Sequence, residues 1–393
     1  MRVCISGAGI AGPTLAHWLL RYGHTPTIIE RAASFRRGGY IIDFWGAAFD
    51  IADRMGITTP IRDAGYVVEE VRLVDDHGRR ISGFEVEALR DAVGGRFVSL
   101  PRGDLASIIF DTVKDRVETI FGETITALQD EGNSIWVELA SGALREFDLV
   151  IGADGLHSNV RALTFGATEV QEKFMGYEVA AFEATGYRPR DENVYVGYAV
   201  PGKQVSRFAQ RDDRTMFLLV YAAEHASPVH DPSGQRELLH RQFAGTGWEC
   251  DSILEAMDRC ETIYLDRVSQ VRMNRWTADR VALLGDAAYC PSLLAGQGCA
   301  LAMLGAYVLA GELARAAGDH TIAFPRYEQS LQKFMLGKQK AAEGFASSFA
   351  PRTKFGLYIR NLSMKVMSFP KVASLLMGRS LRDDLELPRY PTN

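Results

Sequence analysis

One pattern at the N-terminus restricts the fold more than any other. Val3-Cys4-Ile5, a short apolar run, leads into Gly7-Ala8-Gly9-Ile10-Ala11-Gly12, and apolar residues then recur at helical spacing from Ala11 to Tyr22. Strand, tight turn and helix in that order open a dinucleotide-binding βαβ unit. Gly7 permits the turn, Gly9 leaves out the side chain that would block a diphosphate, and Gly12 lets the helix pack closely on the strand, so that the diphosphate sits on the helix N-terminus. A second apolar run ends at Thr27-Ile28-Ile29 and meets Glu30, about twenty residues past the turn, where an acid accepts hydrogen bonds from a ribose. A carboxylate there suits the unphosphorylated adenosine ribose of FAD or NAD.

Two later segments repeat the theme of an apolar strand running into small residues. Asp148-Leu149-Val150-Ile151-Gly152-Ala153-Asp154-Gly155 continues through His157 to Arg161. Val281-Ala282-Leu283-Leu284-Gly285-Asp286 is followed by Pro291 and by Ala295-Gly296-Gln297-Gly298, which opens a helix of small and apolar residues reaching Leu313. A glycine-flanked helix start offers free backbone amides to a diphosphate or to negative charge on a reduced flavin.

The three segments, in this order, resemble the single-component FAD-dependent aromatic hydroxylases, the class A flavoprotein monooxygenases that include p-hydroxybenzoate hydroxylase, over roughly residues 1 to 320. The resemblance implies that Gly7, Gly9, Ile10, Ala11, Gly12, Glu30 and Arg31 hold the ADP half of FAD. It implies that Asp154 and Gly155 form an Asp-Gly motif shared by FAD and NAD(P)H, and that Asp286 holds the ribityl chain. Pro291, Gly296, Gln297 and Gly298 would lie beside the flavin ring, Arg102 in Pro101-Arg102-Gly103-Asp104 would contact FAD, and Arg37 and Asp43 would belong to a loop near the ring. The chain departs from many relatives at Tyr289, where they carry histidine, and at Cys299-Ala300, where they carry asparagine close behind Gly-Gln-Gly. It also resembles a compact bacterial subgroup related to the tetracycline-inactivating flavoenzymes.

The expected fold is α/β: a Rossmann-like FAD-binding domain, discontinuous over 1–170 and 272–320, with an inserted, mostly antiparallel substrate domain at 171–271 and a C-terminal helical segment at 321–393. A substrate-domain strand is expected near 67–100. Strands read as Glu178-to-Thr185, Asn193-to-Val200, Val205-to-Gln210 and Met216-to-Tyr221. The polar linker His225-to-Gly234 precedes helices at Gln235-to-Phe243 and Ser252-to-Cys260. Tyr198 and Arg207 could face the substrate pocket or solvent, and Phe44, Trp45 and Phe49 could wall it or pack in the core. Tyr358-to-Met377 reads as a basic amphipathic helix interrupted near Pro370; docking across the domains is favoured over a membrane surface.

Composition excludes several classes. A hydrophobic fraction of 47% and a charged fraction of 24% in 393 residues are ordinary for a soluble globular protein, and a net charge of −5 gives no reason to expect nucleic acid. No stretch approaches twenty uninterrupted apolar residues, and the glycine turn falls where a secretory leader would be. Five cysteines without paired metal spacing suggest reduced, cytoplasmic thiols. Cys290 and Cys299 read as packing residues. The eight histidines form no metal cluster or triad, and His157 reads as a loop residue.

The implied activity is an NAD(P)H- and O2-consuming monooxygenase with tightly bound FAD, hydroxylating an aromatic or polycyclic phenolic, polyketide-like small molecule through a flavin C4a-hydroperoxide, with no catalytic side chain and no metal required. NADPH or NADH would bind transiently, and the protein would be a monomer or homodimer. The alternatives are a tetracycline-type inactivating oxygenase or a non-catalytic FAD-binding redox sensor. A halogenase would need a Trp-x-Trp-x-Ile-Pro element, which the chain lacks.

Overall fold

The computed structural model describes residues 1–35, 38–166, 169–227, 231–367 and 385–391. One half is a six-stranded sheet in the order 277–278, 281–283, 149–152, 2–6, 25–30, 118–121, parallel except at the first pair. Both faces of a parallel sheet are covered, so its strands are apolar throughout. Val3, Cys4 and Ile5 are fully buried, as are Leu149, Val150 and Ile151. Helix Ala11–Arg21 packs between this sheet and helix Gly298–Arg315.

The second sheet has seven strands in the order 264–272, 171–185, 214–222, 203–209, 194–200, 70–74, 80–85. Neighbours are antiparallel except 194–200 with 70–74. Helices Pro232–Phe243 and Cys250–Asp258 cover one face through Leu239, Phe243, Ile253 and Met257. Tyr198 lies in that core and donates to the Thr246 carbonyl at 3.0 Å. Arg207 is buried between Asp191 (2.8 Å) and Glu249 (2.9 Å). The register therefore commits both residues to the helix-covered side. The α/β class and the largely antiparallel second sheet agree with the expectation from sequence.

Helix Gly298–Arg315 has the length and hydropathy of a membrane span, but 72% of it is buried inside the protein, so its apolar surface serves the core. The chain end returns to it: Tyr390 donates to Glu312 Oε1 at 2.8 Å and Tyr307 donates to the Pro388 carbonyl at 2.7 Å. The 30-residue helix His320–Phe349 and then Lys354–Met367 follow. The latter docks on strand 80–85, where Ser82 Oγ donates to the Asn361 carbonyl at 2.6 Å, while Arg360 reaches Gln204 Oε1 at 2.7 Å. Burial lowers the pKa of Arg360 to about 10, which leaves it charged at neutral pH. The part of the expected amphipathic helix beyond Met367, including Pro370, lies outside the described residues, as do Pro228 and Arg37.

Tyr289, where many relatives carry histidine, is wholly buried against Trp276 (4.7 Å between ring centroids) and within 3.3 Å of the Tyr327 hydroxyl. Its room comes from Gly305, where an added Cβ would lie 1.9 Å from the Tyr289 hydroxyl. Gly305→Ala is expected to lower stability by about 1–3 kcal/mol through overpacking. Gly337→Ala, on the same helical scaffold but in open space, is expected to raise it by about 0.5–1 kcal/mol. Urea unfolding of the two variants checks both signs.

Candidate functional site

Three strands of the parallel sheet end side by side: Arg2–Ser6, Leu149–Gly152 and Val281–Leu283. Their carboxyl ends carry the three glycine segments, so topology alone brings Gly7–Gly12, Asp154–Gly155 and Gly285–Asp286 to one edge. The approach is close. Gly7 has φ +108°, and a Cβ there would meet the Ala153 carbonyl at 2.5 Å; one on Gly12 would meet the Gly7 carbonyl at 2.0 Å. Gly9 differs, because its nearest neighbour would be an Arg102 nitrogen at 3.6 Å. Two glycines are thus demanded by packing, while the third keeps a space open.

The helix beginning at Ala11 has no side-chain cap and no acid in its first turn, so its leading amides face that space unsatisfied by protein side chains. Glu30 stands at the neighbouring strand end, accepting from the Ala8 and Ala32 amides, each at 2.8 Å. Arg31 beside it is exposed, and Ile10 is buried. The same vacant-donor arrangement recurs at Gly298, where the long helix starts without a cap or first-turn acid and Asp286 Oδ1 would lie 3.5 Å from a Cβ on Gly298.

Asp154 organises its own loop. Its carboxylate accepts from the Asn159 and Val160 amides at 2.9 and 3.1 Å and from Ser158 Oγ, fastening the start of helix Asn159–Phe165. Gly155 follows at φ +82°.

Around Arg102 lies a polar cluster of Tyr40, Tyr264, Asp286 and Cys299. Protein surrounds these groups and Asp43 on most sides, yet water still touches Asp43 and Tyr264, which is 38% accessible. Water that reaches these groups softens the effect of burial on their charges. Burial raises the pKa of Asp286, with Arg102 opposing, and raises that of Asp43, with Ser99 Oγ opposing from 2.6 Å. Burial pushes the Cys299 thiol to about 11 and Cys290 well above its ordinary value, so both are protonated packing residues. Burial works against the charge on Arg102, and the Asp286 carboxylate beside it opposes that, so the guanidinium stays charged. Trp45 lines a small hollow with Asp43, Gly296, Gln297 and Phe334, whereas Phe44 and Phe49 are core residues. His157 is tied to Asp266 at 3.0 Å at the rim of the Asp-Gly loop.

Several residues that hold the site together were not singled out from the sequence. Arg161 is buried and donates to the Leu156 carbonyl at 2.7 Å and the Ala287 carbonyl at 3.0 Å, tying the Asp-Gly loop to the Gly-Asp loop. Gln270 donates to the Pro291 carbonyl at 2.8 Å, and Gln339 donates to the Val271 and Cys290 carbonyls. Gln270 had one sequence signal, a polar residue within the strand Val268-Ser269-Gln270-Val271, whereas Gln339, between Lys338 and Lys340, had none. The turn they pin contains Ser292, strained at φ 139°, whose buried Oγ has no partner among the described residues.

An open glycine cradle, two uncapped helix starts, a ribose-height acid and an orphaned hydroxyl fit a bound flavin dinucleotide. The chain belongs to the FAD binding domain family, whose model matches residues 1–321, and it is a flavin-dependent monooxygenase. It is 33% identical to a flavin-dependent monooxygenase of Legionella longbeachae serogroup 1 (strain NSW150), over 100% of this chain and 99% of the relative. Among solved structures it is similar to tetracycline destructase Tet(51), at 32% identity and TM-score 0.82 with 99% of each chain covered. It is also similar to Tet(55), at 31% identity and TM-score 0.85 with 99% and 98% covered.

Gly9→Ala is expected to leave apoprotein stability within about 0.5 kcal/mol of the parent while weakening FAD binding about tenfold or more, read by flavin fluorescence titration. Gly12→Ala is expected to lose the fold itself, because its clash is with backbone. For Asp286, a folded-state pKa above the ordinary 3.8 means that its stabilising contribution is complete below that value and is lost as pH rises through the raised one. Asp286→Asn is therefore expected to raise the apoprotein Tm at neutral pH and to flatten its fall between acid and neutral pH. An unchanged slope contradicts the assignment.

Proposed function

We propose that this flavin monooxygenase takes electrons from NADPH or NADH and inserts one atom of O2 into an aromatic or polycyclic phenolic, polyketide-like small molecule. The observation that carries the reading is the meeting of Tyr264, from the seven-stranded sheet, with Tyr40 at 6.1 Å between ring centroids, beside Arg102 and Asp286 of the cofactor edge. It combines aromatic surface with a few fixed polar groups, the composition of a small-molecule site. Nearly full-length likeness to two tetracycline destructases supports a polycyclic substrate, and a tetracycline-type scaffold is the narrower form of the proposal.

FAD, when bound, supplies oxygen activation and transfer of one oxygen atom, the other leaving as water with two electrons from the nicotinamide. The chain supplies position. The amides at Ala11 and the space at Gly9 receive the diphosphate, and Glu30 receives the ribose. Asp286 and the helix start at Gly298 receive the ribityl chain and the pyrimidine side of the ring, with Pro291, Gly296 and Gln297 beside it. Arg102 provides fixed positive charge in an enclosed setting, where it acts more strongly than in water. Tyr40 and Tyr264, whose hydroxyl pKa values burial raises, stay protonated and can donate hydrogen bonds to a phenolate or enolate oxygen. Asp154 acts through Asn159 and Val160 by fixing the loop that the flavin meets.

Anaerobic addition of NADPH or NADH to the FAD-loaded protein, with and without phenols, tetracyclines and other polyketides, tests the proposal. One compound is expected to accelerate flavin bleaching and to gain a single oxygen atom when air is admitted. Absence of reduction by either nucleotide with every compound would favour the redox sensor.

A further inference from the structure

A separate cleft of about 590 Å³ opens where the segment 62–67 meets the loop 188–193 and the hairpin turn 210–213. It shares no lining residue with the hollow at Asp43, Trp45 and Gly296. Gln210 lines the cleft, is 1% exposed, and has neither amide atom partnered among the described residues. Leaving both a buried donor and a buried acceptor unsatisfied costs about 1–3 kcal/mol per group, which a hydrogen-bonding occupant would reduce.

The charges around Gln210 say what kind. Arg188 and Arg190 are neutralised by Asp213 at 2.7 and 3.4 Å, and Arg190 also holds Glu192 at 2.8 Å. Asp212 projects outward, 84% exposed, near Arg214. Arg211 has no carboxylate partner among the described residues: its guanidinium donates to the Ala64 and Gly65 carbonyls and lies 4.4 Å over the Tyr66 ring. Arg62 is exposed, 5.7 Å from the Phe49 ring centroid, and likewise lacks a carboxylate partner there. Two uncompensated guanidinium groups therefore flank an unsatisfied amide, in a protein of net charge −5. Arg62 comes from helix Thr58–Ala64, and Arg211 from a hairpin turn with Asp212 at φ 58° and Asp213 at φ 55°, a two-residue geometry that Asp tolerates.

We propose that this cleft binds a small oxyanion, a carboxylate or a phosphate ester, held by Arg62 and Arg211, with the Gln210 amide nitrogen donating to it. Guanidinium groups pre-fixed by other contacts lose little entropy on binding such anions. Calorimetric titration of the full-length, FAD-saturated protein with pyrophosphate and with succinate tests it. Saturable binding of one of them is expected, and which one identifies the phosphate or carboxylate source. Arg62→Gln and Gln210→Met are each expected to weaken it about tenfold or more while leaving the flavin spectrum unchanged. Gln210→Met is further expected to hold or raise Tm, because it removes unpaired polar atoms; a purely structural glutamine would lower it. The proposal is overturned if neither anion binds, or if both variants bind as the parent does.

Discussion

The cofactor half depends on the contact between the Gly7 backbone and the Ala153 carbonyl. A Cβ at Gly7 would intrude to 2.5 Å, so the ends of strands Arg2–Ser6 and Leu149–Gly152 sit as near to each other as backbone permits. That closeness lets the first glycine turn and the Asp-Gly loop share one cradle. Val281–Leu283, parallel on the far side of Leu149–Gly152, brings in the Gly-Asp loop, and Arg161 locks the last two together through carbonyl oxygens. A guanidinium with five donors suits such a junction, since it binds two loops at once and stays charged despite burial.

Distance from the outer solvent then gives the enclosed groups their chemistry. Arg102, Asp286 and the two tyrosines stand close enough that each constrains its neighbours, while water screens part of the effect at Tyr264. Burial alone would drive Asp286 and Asp43 towards neutrality and Arg102 towards losing its proton; together Arg102 and Asp286 moderate both tendencies. The buried amides of Gln270 and Gln339 hold the turn at Cys290–Pro291 against helix His320–Phe349.

Much of this was legible in the sequence because it is local. A glycine turn between an apolar strand and an apolar helix is written in contiguous residues, and so are the Asp-Gly and Gly-Asp segments; most second-sheet strands fall within a few residues of where alternation placed them. What was not legible depends on register and tertiary approach. Tyr198 and Arg207 looked equally suited to the pocket or to solvent, and only pairing of 194–200 with 203–209 sends both beneath the covering helices. Arg161 stood at the end of a recognised segment, but its partners lie across the sheet. Gly305 carries no motif at all and matters only because Tyr289 occupies the volume a methyl group would take.

The central claim is that one ligand unites all three segments at a single edge. Hydrogen–deuterium exchange of the apoprotein with and without FAD measures this directly. FAD is expected to slow exchange together at 7–12, at 155–161 and at 286–299, with strand 203–209 unchanged. Protection confined to the first segment would contradict it.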